Sequence, residues 1–160
     1  MARKRDDAAL HDRAFAVDPE HSIGYLIRAT SRLILAELQA ALEPHGVTLG
    51  QYFVLRELWE NEGITQRELS AQVSIGEPSL VAALDALERT DLVTRIRSKQ
   101  DRRKIHVYLT ARGRGLRAEL LGYAAATING ATDDFTAAEI ETLRGLLQRL
   151  KTNLGRPPRA

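Results

Sequence analysis

Apolar residues recur at three- and four-residue intervals in six stretches of the chain, and this spacing is typical of amphipathic helices. The first stretch follows Ser22, a favourable capping residue, and ends at Pro44 and Gly46. The second opens with Thr48 and Gln51, which have the spacing of a capping box. The sequence therefore predicts a long first helix and a shorter second helix rich in large apolar side chains.

Two short helices are predicted next, with only a few residues between them. Thr65 and Glu68 repeat the capping-box spacing ahead of the third helix. The fourth helix has Pro78 in its first turn, where a missing N–H costs nothing. Its apolar stripe is formed by Leu80, Leu84 and Leu87. Two short helices joined by a tight turn are typical of a helix-turn-helix.

After Leu92 the apolar period changes from helical to alternating. Apolar and polar residues alternate up to Arg97 and again from Ile105 to Leu109, which predicts a two-stranded ribbon. The loop between the strands is basic, so the ribbon presents cations at its tip. Such a projection beside a helix-turn-helix is called a wing.

Two more helices complete the prediction. Thr110 can cap a fifth helix, which we expect to run unbroken past Leu116 to Ile128. Thr136 and Glu139 box the start of a sixth. Its apolar stripe consists of Ile140, Leu143, Leu147, Leu150 and Leu154. The predicted fold class is mainly α, with a small wing of two to three β-strands.

Charge and composition narrow the function. The net charge is +2, but residues 95–117 contain nine cations and one anion, which leaves the rest of the chain at −6. A concentrated positive segment suits a phosphate surface, whereas a merely solvated face usually mixes signs. The absence of cysteine excludes disulfides, thiol nucleophiles and thiol-based peroxide sensing. No apolar run reaches the length of a membrane span and no signal segment is visible, so we expect a soluble, cytoplasmic protein.

Catalytic and metal chemistry find no support in the sequence. The four histidines are scattered without the spacing of metal ligands. No nucleophile, general base or phosphate-binding loop is recognisable. We therefore expect a protein that is not an enzyme and that uses no cofactor or metal.

The order of these elements resembles the MarR family of winged helix-turn-helix transcription regulators. The most specific match is Asp101-Arg102-Arg103 in the wing, with Leu109-Thr110 and Gly113 at the entry to the fifth helix. The resemblance implies a homodimer that binds a pseudo-palindromic site in double-stranded DNA, usually as a repressor. It implies an organisation of arm, dimerisation helix, DNA-binding domain, dimerisation helices and tail, at residues 1–21, 22–47, 48–110, 111–154 and 155–160.

Candidate DNA contacts follow from the resemblance and from the physics of a helix in the major groove. The outward positions at the start of the fourth helix are Glu77, Pro78, Ser79, Val81 and Ala82. The family commonly has Ser, Thr or Arg there, so base reading would depend on Ser79, on apolar contacts with thymine methyl groups and on DNA shape. The wing candidates are Arg97, Lys99, Arg102 and Arg103. Resemblance implies that Asp101 and Arg103 pair within the wing, which favours Lys99 and Arg102 for direct contact.

Thr65 and Gln66, at the start of the third helix, are candidates for phosphate contact. Capping explains Thr65 equally well.

A second set of residues suggests a small-molecule effector, because many proteins of the MarR family release DNA when an aromatic acid or phenol binds. Aromatic and arginine side chains share one face on each of the first two helices, and Tyr123 is a possible third wall. The set comprises Tyr25, Arg28, Arg32, Tyr52, Arg56, Trp59 and Tyr123. Stacking and bidentate hydrogen bonds from these groups would suit a small aromatic carboxylate. Core aromatics edged by solvated arginines are the alternative.

Two alternatives to a ligand-responsive regulator stay open. One is a regulator without a small-molecule effector, and the other is a dimeric protein-interaction module whose wing binds an acidic partner. Salt-sensitive binding to duplex DNA would separate the second from a regulator.

Overall fold

The computed structural model describes residues 22–73 and 75–155. The elements, with the labels used below, are α1 (Ile23–Leu42), α2 (Leu49–Glu60), α3 (Gln66–Val73), α4 (Glu77–Arg89), β1 (Val93–Arg97), β2 (Ile105–Leu109), α5 (Ala111–Gly115), α6 (Arg117–Ala131) and α7 (Ala137–Leu154). The predicted N-terminal arm and nearly all of the predicted tail lie outside the described residues. The described chain divides into two compact units after Thr127.

The first unit is built around one apolar core. Leucines of α2, α3 and α4 meet side chains of the two strands, and their burial is the main source of stability. The buried residues are Leu38, Leu42, Val47, Tyr52, Val54, Leu55, Leu58, Trp59, Leu69, Leu80, Leu84, Leu87, Leu92, Val93, Val107, Leu109 and Leu120. The predicted stripe of α4 is therefore confirmed as its inward face.

The predicted helix starts are confirmed where the structure describes them. The Ser22 side chain accepts a hydrogen bond from the N–H of Tyr25 and caps α1. Thr48 and Gln51 form a reciprocal capping box at α2. Helix α1 stops at Leu42, a 3-10 turn over Glu43–His45 follows, and Gly46 takes a left-handed φ of 66°. A left-handed residue favours glycine, which explains why the chain turns there.

The ribbon is antiparallel, with Val93 opposite Leu109 and Arg97 opposite Ile105. An isolated bridge between Thr65 and His106 attaches β2 to the chain segment ahead of α3. The predicted range of two to three strands is thus met by two strands and this bridge.

One predicted helix is divided in the structure, which corrects the expectation of an unbroken fifth helix. Thr110 caps α5 as predicted, but α5 ends at Gly115 and α6 starts at Arg117. Leu116 between them has a ψ of −11°, well away from the helical value. The Nε1–H of Trp59 donates to the carbonyl of Gly113 at 3.0 Å. That carbonyl is the acceptor that an unbroken helix would offer to the N–H of Arg117.

The second unit consists of the end of α6 and α7. The predicted capping box of Thr136 and Glu139 opens α7. One side of α7 exposes a row of leucines, formed by Leu143, Leu146, Leu147, Leu150 and Leu154. None of the described helices is both long enough and apolar enough to cross a membrane.

Candidate nucleic-acid interface

Helices α3 and α4 form the predicted helix-turn-helix. The Thr65 hydroxyl accepts from the N–H of Glu68 and donates to its carboxylate, while that carboxylate also accepts from the N–H of Thr65. These hydrogen bonds hold the pKa of Glu68 below its ordinary value, and the bond from the Thr65 hydroxyl has the largest effect. The structure therefore engages both the hydroxyl and the backbone N–H of Thr65 in capping, and a phosphate contact by Thr65 stays a prediction.

The start of α4 is exposed on the side away from the core. Gly76 is its cap residue, and Pro78 lies in its first turn, where the sequence predicted it. The five residues proposed to face DNA are all exposed, and these are Glu77, Pro78, Ser79, Val81 and Ala82. Since the leucine stripe anchors α4 on the opposite face, the helix presents these side chains as a rigid surface.

The wing tip is shaped by short-range hydrogen bonds. The Ser98 hydroxyl accepts from the N–H groups of Gln100 and Asp101. The Asp101 carboxylate accepts from the N–H of Arg103 and from its Nε. Both hydrogen bonds lower the pKa of Asp101, and the bond from the backbone N–H of Arg103 has the larger effect. The pair that the family resemblance implied is thus present, and it leaves Arg102 outside it.

Ion pairs divide the basic segment into two groups. Four of its nine cations contact carboxylates: Arg95 contacts Asp85 and Glu88, Arg103 contacts Asp101, Arg114 contacts Glu62, and Arg117 contacts Glu60. Most of these acids lie outside residues 95–117, so a charge sum over the segment overstates its free positive charge. Within the described ranges, Arg97, Lys99, Arg102, Lys104 and Arg112 form no carboxylate pair.

The cations without a carboxylate partner cluster toward the wing tip. Lys99 and Arg102 are exposed there, as the sequence predicted. Arg97 reaches the Arg102 carbonyl with its Nη1 at 3.2 Å. Arg112 is different, because its Nη1 donates to the carbonyl of Thr90 at 2.9 Å and so serves the fold.

A groove of about 650 Å³ lies between the start of α3, the start of α4 and the wing loop with the first residue of β2. Its lining includes Gln66, whose buried Oε1 has no hydrogen-bond partner in the described part of the chain. Two exposed cations that sequence reasoning missed also line it, Arg67 and Lys104. Both are next to predicted site residues, but neither falls on a recognised motif, and only the fold brings them together.

The residues predicted to bind an effector occupy different environments. Tyr52 and Trp59 lie in the core, 1% and 8% exposed, with their rings packed edge to face. Burial raises the pKa of Tyr52, and nearby Arg56 partly offsets the effect. Their aromatic faces therefore contact protein rather than an open cleft.

On the surface of α1, the guanidinium of Arg28 lies 5.5 Å from the ring centre of Tyr25. Arg32 on α1 and Arg56 on α2 are exposed. The Tyr123 hydroxyl lies 3.1 Å from Nε2 of His45. The effector site stays a prediction, and its accessible members are the arginines with Tyr25 and Tyr123.

Comparisons with known proteins agree with this architecture. The model of the MarR family matches residues 47–105, which run from just before α2 to the first residue of β2. The chain is 30% identical to the organic hydroperoxide resistance transcriptional regulator of Bacillus subtilis, covering 84% of this chain and 88% of that protein. It is also 30% identical to the HTH-type transcriptional regulator TtmR of Methylorubrum extorquens, covering 73% of this chain and 61% of the relative.

Solved structures give the same result. CouR from Rhodococcus jostii RHA1, bound to p-coumaroyl-CoA, aligns with a TM-score of 0.73 and 25% identity, covering 84% of this chain and 95% of that one. The transcriptional repressor CouR bound to a 23-mer DNA duplex aligns with a TM-score of 0.74 and 28% identity, covering 81% and 92%. The chain belongs to the MarR family of winged helix-turn-helix, DNA-binding transcriptional regulators.

Proposed function

We propose that this regulator is a homodimeric repressor that binds a pseudo-palindromic DNA site and leaves it when a small aromatic acid or related acyl compound binds. One observation carries the DNA-binding part. The leucine stripe of α4 is buried, while the first residues of the helix are exposed beside wing cations that have no carboxylate partner within residues 22–73 and 75–155. This arrangement offers a helix for the major groove and free positive charge for the backbone.

The proposed contacts divide by chemistry. Ser79 hydrogen-bonds to base edges and Glu77 accepts from the amino group of cytosine, while Pro78, Val81 and Ala82 meet thymine methyl groups. Lys99 and Arg102 lie at the minor groove, with Arg97 and Arg103 beside them. Thr65 and Gln66 meet a phosphate at the start of α3.

The homodimer is supported by apolar surface that each unit exposes. Leu143, Leu147 and Leu150 of α7 are 42%, 46% and 36% exposed in the single chain, and Leu33 of α1 is 65% exposed. Exposed apolar side chains along one side of a helix are typical of an oligomer interface. Light scattering at low micromolar concentration is expected to give the mass of a dimer, and a persistent monomer would contradict the proposal.

The effector is supported by a relative and by the surface of α1. CouR has been solved with p-coumaroyl-CoA, an aromatic acyl thioester. Arg28 and Tyr25 offer a guanidinium beside a ring, which suits an aromatic carboxylate. To reverse DNA occupancy from 99:1 to 1:99, the effector must favour the released form by about 5.5 kcal/mol.

A gel shift tests target and effector together. The protein is incubated with duplex DNA from its own upstream region, with and without a panel of aromatic acids and their thioesters. We expect a salt-sensitive protein–DNA complex that one compound of the panel dissociates. Loss of that response in Arg28→Ala or Arg32→Ala, with DNA binding intact, would locate the carboxylate.

The alternatives are separate outcomes of the same gel shift. A protein–DNA complex that no compound of the panel dissociates indicates a regulator without this class of effector. No binding to any duplex would favour a protein-interaction module. Ser79→Ala in a competition assay on randomised sites is expected to change base preference without abolishing binding.

A further inference from the structure

Arg95 on β1 reaches two carboxylates of α4. Its Nη2 lies 2.7 Å from Asp85 Oδ1 and 2.6 Å from Glu88 Oε2. Its Nε also donates to Glu88 Oε2, and its backbone N–H donates to Glu88 Oε1, each at 3.1 Å. These contacts attach the start of the wing to the second half of α4. We call Asp85, Glu88 and Arg95 the clamp.

Helical spacing places the carboxylates of the clamp in line with the DNA-facing residues of α4. Asp85 follows Val81 by four residues and Glu88 follows it by seven, so the three form one stripe. All are accessible, since Val81 is 41% exposed and the side chains of Asp85 and Glu88 are 51% and 39% exposed. The face of α4 that is proposed to contact bases therefore also carries two acidic side chains, Asp85 and Glu88.

Free carboxylates at these positions would repel the phosphates of a bound duplex. The Arg95 side chain is only 23% exposed, and its single charge is shared between both acids. The hydrogen bond from the Arg95 side chain is the largest of the causes that hold the pKa of Glu88 below its ordinary value. Arg89 adds a second cation, and its Nε donates to the Asp85 carbonyl at 3.3 Å.

We propose that Arg95 is a positioning residue for DNA binding, which screens Asp85 and Glu88 from phosphate without contacting DNA itself. The proposal rests on the proposed function, because it requires this face of α4 to meet a duplex. It assigns Arg95 a role opposite to the one that its place in the basic segment suggests. The acids determine that role, and they are distant from the wing motif in sequence.

A charge-rescue experiment tests the proposal. Affinity for a fluorescein-labelled duplex of the upstream region is measured by anisotropy for the full chain and its variants. Arg95→Ala is expected to weaken binding about five- to tenfold, because two carboxylates are left facing phosphate. Adding Asp85→Asn and Glu88→Gln to this variant is expected to return affinity to within about twofold of wild type.

The result that would overturn the proposal is equally specific. A triple variant as weak as Arg95→Ala would mean that Arg95 does not act by screening the two acids. The double variant Asp85→Asn/Glu88→Gln keeps the question decidable if Arg95→Ala unfolds, as monitored by circular dichroism. It is expected to bind at least as tightly as wild type, and weaker binding would contradict screening.

Two controls distinguish failure of the role proposed for Arg95 from failure of the proposed DNA-binding function. Arg114→Ala removes another ion-paired arginine, which contacts Glu62 away from α4, and is expected to leave affinity unchanged. If wild type binds the duplex but the charge rescue fails, only the role of Arg95 is lost. If wild type binds no duplex, the proposed function itself fails.

Discussion

The two ends of the β-ribbon differ in how their polar groups are engaged. At the root, Val93 pairs with Leu109 in the core, and three consecutive carbonyls accept hydrogen bonds from the chain that follows β2. The Thr90 carbonyl accepts from Arg112, the Asp91 carbonyl from the Thr110 hydroxyl, and the Leu92 carbonyl from the Thr110 N–H. The root is therefore fixed by bonds between distant parts of the sequence.

At the tip, the hydrogen bonds are local and leave charge free. Ser98 and Asp101 bond to residues two or three positions away, while Lys99 and Arg102 extend without a carboxylate partner in the described ranges. The same residue type therefore serves two purposes in one ribbon. Arginines at the root and around it hold the fold, whereas cations at the tip remain available for a polyanion.

The largest loss of stability is expected from a substitution that disrupts the packing at the root. A Cβ added at Gly113 would lie 2.0 Å from the Leu92 carbonyl oxygen, a backbone atom that cannot easily move. Gly113→Ala is therefore expected to lower the free energy of unfolding by about 3 kcal/mol or more. Urea denaturation followed by circular dichroism measures it.

The matched control lies two residues away. A Cβ at Gly115 meets nothing within 4 Å, and the residue is helical. Gly115→Ala is expected to be neutral or to stabilise by up to about 1 kcal/mol. Equal stability of the two variants would show that the root is not closely packed.

A smaller effect is expected when the indole hydrogen bond is removed. Trp59→Phe keeps an aromatic ring in the core but leaves the Gly113 carbonyl without its donor. We expect a loss of about 1–3 kcal/mol in the free energy of unfolding. Tyr52→Phe is the control, because the Tyr52 hydroxyl has no hydrogen bond in the described structure, and a larger loss there than at Trp59 would contradict the account.

The smallest expected effect is the pH dependence of stability that comes from the ion pair of Glu88 with Arg95 in the clamp. Because the folded-state pKa of Glu88 is lowered, its ion pair stabilises the protein above the ordinary glutamate pKa and is lost as pH falls through the lowered one. In Arg95→Ala, the pKa of Glu88 is expected to rise toward its ordinary value in an NMR titration. Glu139, whose pKa is lowered by Thr136, is the internal reference and should not move.

Local patterns were sufficient to predict most of the fold. The boxes at Thr48 and Thr136, the stripe of α4 and the alternation in the wing each depend on residues close in sequence, so the chain alone reveals them. The sequence pattern did not predict the break at Leu116, because the indole of Trp59, which bonds to the Gly113 carbonyl there, is more than fifty positions away. Tertiary contacts of this kind override a good helical pattern.

The site was predictable to a lesser extent for the same reason. Exposure of Ser79 and Arg102 followed from helical spacing and from the wing motif. The pairing of Arg95 and Arg114 did not, because their partners lie in other elements. A count of charges along the sequence cannot distinguish a cation that holds the fold from one that meets DNA.

The most direct test is the salt dependence of DNA binding in one tip variant and one paired-arginine variant. For a cation that neutralises one phosphate, the slope of log affinity against log salt becomes shallower by about 0.9 when it is removed. We expect this change for Arg102→Ala across all duplex sequences and no change for Arg114→Ala. An unchanged slope in Arg102→Ala, or an equal change in both variants, would contradict the claim that the wing tip contacts DNA.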